Sequence, residues 1–150
     1  MVSARDLHEL RRRVLRNNNP ESLVADVRDD ESTSLHFGGF DAGRLVVSAS
    51  FYSSMDLFNL EAVTYQLRYM ATDFDVQGRG FGARVLTFAE AALRRRGVEQ
   101  IWANARDTAL GFYGAIGWSF RVGSEHLSAE TQLPHTVIFK RLLDSSDSTQ

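Results

Sequence analysis

A change of hydrophobic period at the glycine-rich stretch Gln77–Ala83 limits what this chain can fold into more than any other feature. Upstream, Glu61 to Thr72 carries Val63, Tyr65, Leu67 and Tyr69 at every second position, the spacing of a strand with one buried face. Downstream, Phe81, Val85, Phe88, Ala89 and Ala92 follow helical spacing and predict a helix from Gly80 to Arg96. Arg94, Arg95 and Arg96 favour the negative end of its dipole, and Gly97 supplies the stop. Val98 to Ala105 then reads as a second strand. A strand, a crossover helix and a second strand make parallel neighbours, so a βαβ unit sits at the centre of the chain.

The flanking sequence adds mostly antiparallel elements. Leu7, Leu10, Val14 and Leu15 predict a helix from Ala4 to Arg16, capped by Ser3 and stopped at Asn17-Asn18-Asn19-Pro20. Glu21 to Ala25 reads as one further helical turn. Ser34–Phe40 and Arg44–Tyr52 are predicted strands joined by a hairpin turn at Asp41-Ala42-Gly43, and Ser53 to Asn59 is a loop. Beyond the central unit lie a helix over Thr108–Ile116 ended by Gly117, then strands over Trp118–Gly123 and Thr136–Leu142. With no repeat and no Pro-, Gly- or Ser-rich linker, residues 1–143 are expected to form one domain. The polar tail 144–150 cannot bury apolar surface and is expected to be mobile.

Composition removes several function classes. The chain has 17 Lys+Arg against 19 Asp+Glu, a net charge of −2, which lacks the basic excess of a nucleic-acid or membrane-surface binder. It has no cysteine, which excludes disulfides, thiolate metal sites, iron–sulfur clusters and a cysteine nucleophile. The histidines show no metal-ligand spacing with Asp or Glu, so no metal is expected. No apolar run approaches the ~20 residues of a membrane span, and the first residues lack a signal-peptide core, so a cytoplasmic location is expected.

The stretch Gln77-Gly78-Arg79-Gly80-Phe81-Gly82-Ala83 admits several readings. Glycines before a helix let backbone N–H groups meet an anion at the positive end of the dipole, and Arg79 adds a full charge there. The same glycines also serve a tight turn and close helix–sheet packing. Gly78-x-Gly80-x-x-Ala83 satisfies the dinucleotide fingerprint, but Glu99 begins the next strand where that fold needs an acid at its end. A P-loop fails because no Gly-Lys-Ser/Thr follows.

A further reading spans the whole chain. Gln77-Gly-Arg-Gly-Phe-Gly82 resembles the Q/R-x-x-G-x-G/A acetyl-CoA signature of the GNAT N-acyltransferase superfamily. Ala109-Leu-Gly-Phe-Tyr-Gly-Ala-Ile-Gly-Trp118 resembles the A-x-x-F-Y-x-x-x-G-F segment of that family, with Trp for the last aromatic. The first helix, Gln66–Thr72, Trp102–Arg106 and Pro134-His135 look like an uncharacterised bacterial branch, so the resemblance covers Leu7 to Leu142. It implies an α/β (α+β) fold: a mixed, mostly antiparallel sheet of about six strands with a central βαβ unit and helices on both faces. Only Met1 to Ala4 precede the first helix, so the family's first strand is expected to be short or absent.

The resemblance also implies a chemistry: acetyl transfer from acetyl-CoA, a cosubstrate, to a small-molecule or protein amine by direct attack on the thioester. Backbone groups of Met70, Ala71 and Thr72 would bind the pantetheine arm, and Gln77, Gly78, Arg79, Gly80, Phe81 and Gly82 the pyrophosphate. Tyr113 matches the family tyrosine that protonates the departing thiolate, while Phe112 is expected to be a core aromatic. The family's cofactor-contacting Asn falls at Arg106, with Asn104 two residues earlier, and either is a candidate for that contact. A water chain, Glu61, Asp73 or His135 is the candidate base, and Arg28, Arg68 and Arg106 are candidates for binding an acidic substrate. Family members often dimerise, so a homodimer is one partner the resemblance allows. A silent CoA-binding sensor or regulatory module is the alternative function.

Overall fold

The computed structural model describes residues 1–55 and 62–143. Residues 56–61, with the candidate base Glu61 and part of the expected loop and strand, and the expected tail 144–150 lie outside the described residues. The elements are α1 (Ala4–Leu10), β1 (Leu35–Asp41), β2 (Arg44–Ser54), β3 (Thr64–Thr72), α2 (Phe81–Arg95), β4 (Gln100–Arg106), α3 (Leu110–Ala115), β5 (Ser119–Phe120), β6 (His126–Leu127) and β7 (Pro134–Arg141). Hydrogen bonds order the strands β1-β2-β3-β4-β7-β5, with β6 on β7. The β3–β4 pair is parallel, and the others with a defined register are antiparallel. This is the expected mixed α+β sheet with a central βαβ unit, with seven strands instead of about six.

Two compact units divide the chain. The first comprises Met1–Ser53 and Leu67–Leu93. Its α1 begins at a reciprocal cap in which the Ser3 hydroxyl accepts from the Asp6 N–H and the Asp6 carboxylate accepts from Ser3 N–H. The expected single helix to Arg16 changes at Arg11 to a wider π turn over Arg11–Leu15. No strand precedes α1 among the described residues. One hydrogen bond from Val2 N–H to the His36 carbonyl at 3.0 Å stands in its place. Ala42 (φ 49°) and Gly43 (φ 81°) both take left-handed conformations, the two-residue turn that suits strand twist, and join β1 to β2. Glu21–Ala25 is not helical: Asn19 Oδ1 accepts from Glu21 N–H and closes a polar turn, and Leu23 points to solvent.

Helix α2 is rotated from the stripe its sequence suggested. Leu86, Ala89 and Leu93 are fully buried, whereas Phe88 is 57% exposed. Gly39 explains the shift, since a Cβ there would lie 2.6 Å from Val85 Cγ2. The bare backbone of β1 lets Val85 approach, and Phe40, Phe81, Arg84 and Phe88 line a groove of about 230 Å³ beside it.

The second unit comprises Ser54–Gln66 and Arg94–Gln150. Its β3–β4 ladder joins Thr64–Gln66 to Gln100–Trp102, and β7 runs along the whole of β4, from Gln100↔Arg141 to Arg106↔His135. Ile101, Ala103, Ala105, Ile138 and Trp118 form its core. The strand expected over Trp118–Gly123 is confined to Ser119–Phe120: Arg121 N–H still donates to the Val137 carbonyl at 2.8 Å, and a turn from the Arg121 carbonyl to Ser124 N–H then ends it. The short β6 was not evident from sequence; its two residues pair with Pro134 and His135. Pro134 opens β7, a position where its missing N–H disturbs no ladder.

The rotation of α2 has a measurable consequence. Leu86→Ala is expected to cost about 2–5 kcal/mol in urea unfolding, and Phe88→Ala less than half as much. Equal losses would restore the stripe suggested by the sequence.

Candidate active site

The glycine loop lies wholly in the first unit. A single 3₁₀ turn, Phe74–Val76, carries the chain from β3 into the loop, and Gln77 Nε2 donates to the Thr72 carbonyl at 3.0 Å. Gly78 (φ 79°) and Gly80 (φ 82°) are left-handed, and a Cβ at either would meet nothing within 4 Å. Backbone conformation therefore requires these glycines, and the space beside them is open. Arg84 N–H donates to the Gly80 carbonyl at 3.1 Å and closes the first turn of α2. The N–H groups of the residues before it have no acceptor within the helix and lie at its positive end. Arg79 is 59% exposed, stands over the Phe81 ring and is 4.0 Å from Asp41.

The end of β3 leads into this loop. Tyr69 takes φ 57° within the strand, and its carbonyl accepts from Ser48 Oγ at 3.0 Å. Beyond it Ala71 is buried, while Met70 and Thr72 are half-buried.

Tyr113, Asn104, Arg106 and His135 lie in the second unit. Tyr113 is 6% exposed and packs edge-to-face on Phe112 and Trp118, with ring centroids at 5.0 and 5.3 Å. Burial pushes its phenol pKa well above the usual value. Phe112, expected in the core, is 38% exposed: α3 is only six residues long and turns Tyr113 inward. Asn104 and Arg106 share the face of β4 opposite the buried Ala103 and Ala105. His135 is buried, and its Nδ1 donates to the Leu133 carbonyl at 2.8 Å.

Three charged candidates are already engaged. Asp73 bridges Arg13 and Arg44, so its carboxylate serves an ion-pair hub. Arg28 grips Glu31 with two of its nitrogens and also donates to the Ser53 carbonyl, and Arg68 pairs with Asp26 at 3.0 Å. Both arginines are thus largely neutralised in place. Among the described residues no three His, Asp or Glu side chains gather as a metal set. No described helix is long and apolar enough to cross a membrane.

Comparison with known proteins adds the lineage. The model of the acetyltransferase (GNAT) family matches residues 4–118. The uncharacterised N-acetyltransferase YitI of Bacillus subtilis (strain 168) is 31% identical over 148 residues, covering 96% of this chain and 95% of that one. Among solved structures, an aminoglycoside 6'-N-acetyltransferase complexed with coenzyme A is 13% identical with a TM-score of 0.73, covering 94% of this chain and 91% of that one. Escherichia coli ElaA is 19% identical with a TM-score of 0.70, covering 93% and 92%. These two structures share the fold.

One buried polar cluster was not anticipated. Arg11, 1% exposed, donates from Nη1 to Asp29 Oδ2 and to the Val24 carbonyl, both at 2.9 Å, and from Nη2 to Ser50 Oγ at 2.8 Å. Tyr52 OH donates to Asp29 Oδ1, and His36 bridges Ser50 Oγ and the Asp29 carbonyl. The signal for it was Arg11 itself, four residues after Leu7 and so on the buried stripe of its helix. Burial pushes the Asp29 pKa up, but hydrogen bonds from Arg11, Tyr52 and the Asp26 N–H outweigh it and hold the carboxyl well below the usual range. A lowered carboxylate pKa stabilises the fold above the unfolded value of about 3.9 and ceases to do so as pH falls through the folded value. Asp29→Asn is expected to cost about 3–5 kcal/mol at pH 7, since it leaves Arg11 buried and unpaired. The gap between wild type and variant should narrow below about pH 4. A gap unchanged between pH 7 and pH 2 in urea titrations would refute the charge linkage.

Proposed function

Because this chain belongs to the acetyltransferase (GNAT) family, we propose that it transfers an acetyl group from acetyl-CoA to an amine by direct attack on the thioester. The observation that carries this reading is the loop at the start of α2: two left-handed glycines, open space beside them, first-turn N–H groups and Arg79. Those features suit a pyrophosphate, and the coenzyme A bound to an aminoglycoside enzyme of the same fold supports the assignment. In this reading Gln77, Gly78, Arg79, Gly80, Phe81 and Gly82 hold the pyrophosphate. The backbone of Met70, Ala71 and Thr72 hydrogen-bonds the pantetheine amides. Of the two β4 candidates, Asn104 suits the pantetheine arm, since its amide both donates and accepts as that arm's own amides do.

The reaction needs position, a base and an acid. The amine lone pair forms a bond to the thioester carbon, the carbon–sulfur bond breaks, and the sulfur leaves as a thiolate. Tyr113 supplies the proton that neutralises it. Its raised pKa keeps the phenol protonated at neutral pH, the form a general acid requires. No nucleophile of the protein is consumed, which fits a chain without cysteine.

Ligand linkage tests the reading. Acetyl-CoA at about 100 times its dissociation constant should stabilise the protein by about 2.7 kcal/mol and raise its melting temperature. Gly80→Asp places a carboxylate beside the pyrophosphate and should abolish that shift, even after allowing for the strain of a left-handed non-glycine residue. Tyr113→Phe should keep the shift and lower turnover about 100-fold or more, read as CoA thiol release. No shift with wild type refutes the assignment. A shift without CoA release from any amine points to a binding module.

A further inference from the structure

Arg106, His135 and His126 form one cross-strand row. Arg106 of β4 pairs directly with His135 of β7, and His135 pairs on its other side with His126 of β6. Directly paired residues project to the same face with Cβ atoms about 4.5–5.5 Å apart. A guanidinium and two imidazoles therefore share one face at one end of this sheet. The opposite face carries Ala105, Ala103 and Lys140, and Lys140 Nζ donates to Ile116 just after α3 at 2.8 Å. The row thus lies on the face away from α3. Thr136 Oγ1 donates to Asp107 Oδ1 at 2.8 Å and ties the end of β4 to β7 beside it.

Both imidazoles are fixed in the same tautomer. Nδ1 of His135 donates to the Leu133 carbonyl and Nδ1 of His126 to the Ser124 carbonyl, each at 2.8 Å. A carbonyl only accepts, so each Nδ1 carries hydrogen and each neutral ring presents a lone pair at Nε2. The guanidinium of half-buried Arg106 is not engaged by a carboxylate among the described residues, in contrast to those of Arg28 and Arg68. A permanent cation that donates up to five hydrogen bonds thus shares its face, one cross-strand pair away, with an imidazole that keeps a lone pair at Nε2. Such a pair matches a ligand with an anion and an N–H close together.

We propose that Arg106 and His135 form the acceptor subsite, and that the acceptor is an amine carrying a carboxylate a few bonds from its nitrogen. This rests on the acetyl-transfer reading. Arg106 holds the carboxylate in a two-pronged ion pair. His135 Nε2 accepts the proton that the amine nitrogen loses as it bonds to the thioester carbon, while the departing sulfur takes the proton of Tyr113. His126, exposed at the end of the row, offers a second Nε2 acceptor to the rest of the substrate.

The test uses the full chain, acetyl-CoA and pairs of amines that differ only at the carboxyl group: α-amino acids and β-alanine against their carboxamides, read as CoA release. Wild type should favour the acids at least 10-fold in kcat/KM. Arg106→Gln should raise KM for the acids at least 10-fold, cut the preference for acids over carboxamides by the same factor and leave the melting shift with acetyl-CoA intact. His135→Gln should lower kcat at least 100-fold with the same intact shift. Equal use of acids and carboxamides by wild type overturns the proposal and leaves the acetyl-transfer reading standing, with no variant needed. Loss of the acetyl-CoA shift in Arg106→Gln also overturns it, by assigning that arginine to the cosubstrate. Binding of acetyl-CoA without turnover of any amine removes both readings.

Discussion

A guanidinium buried on the inner side of a helix has to find its acceptors within the protein, and Arg11 finds them on two separate pieces of chain. Asp29 and Val24 come from the irregular stretch between α1 and β1, and Ser50 from β2. That stretch, residues 17–34, has no helix or strand of its own to hold it. Its backbone is instead fastened through side chains: Asp29 to Arg11 and Tyr52, Asp26 to Arg68 and Tyr69. A buried ion pair adds little net stability over an apolar contact, because desolvation offsets the attraction. Its consequence is positional. Once Arg11 is inside, one carboxylate must be brought to it, and this fixes where the segment crosses the first unit. The helix widens to i→i+5 bonding at the same residue, the kind of local distortion that accompanies an inserted polar group.

Left-handed backbone is the second constraint, and it falls where chain direction changes. Gly78 and Gly80 bend the chain from β3 into α2, and Gly97 and Gly117 end the two helices that follow. Around Gly78 and Gly80 a side chain would find open space, so conformation and not crowding selects glycine there. Gly39 is the opposite case: its φ is ordinary, and the nearness of Val85 leaves no room for a Cβ. The same residue type thus marks a turn open to a ligand at one place and a packed interface at another.

That difference sets how much was legible in advance. Local signals were read well: the change of period at Gln77, the hairpin at Ala42-Gly43 and the helix stops are decided by neighbours a few residues away. Pairings between distant residues were not. Arg11 and Asp29 are 18 residues apart, and nothing in either neighbourhood names the other. The face of α2 was misjudged because Gly39, far away in sequence, admits Val85 and leaves Phe88 outside. Of the site candidates, the loop glycines carry their reason locally. The role of Arg106 and His135 depends on a register between β4 and β7 that only the folded sheet reveals. Phe112 was expected in the core, and the short α3 turns Tyr113 inward instead.

Charge placement joins these levels. Sixteen of the 17 basic side chains are arginine, set against 19 Asp and Glu for a net charge of −2. Carboxylates of the same unit hold many of them: Asp29 holds Arg11, Asp73 holds Arg13 and Arg44, Glu31 holds Arg28 and Asp26 holds Arg68. Arg79 and Arg106 are placed differently. Each stands where a strand has just ended and a helical segment is about to begin, Arg79 before α2 and Arg106 before the 3₁₀ turn Asp107–Ala109. Unbonded N–H groups and the positive end of the dipole meet at such junctions, and a nearby cation is stabilised by an anion shared with them. Arg79 still lies 4.0 Å from Asp41, but it is 59% exposed, whereas Arg11, Arg13 and Arg68 are held more closely by buried carboxylates.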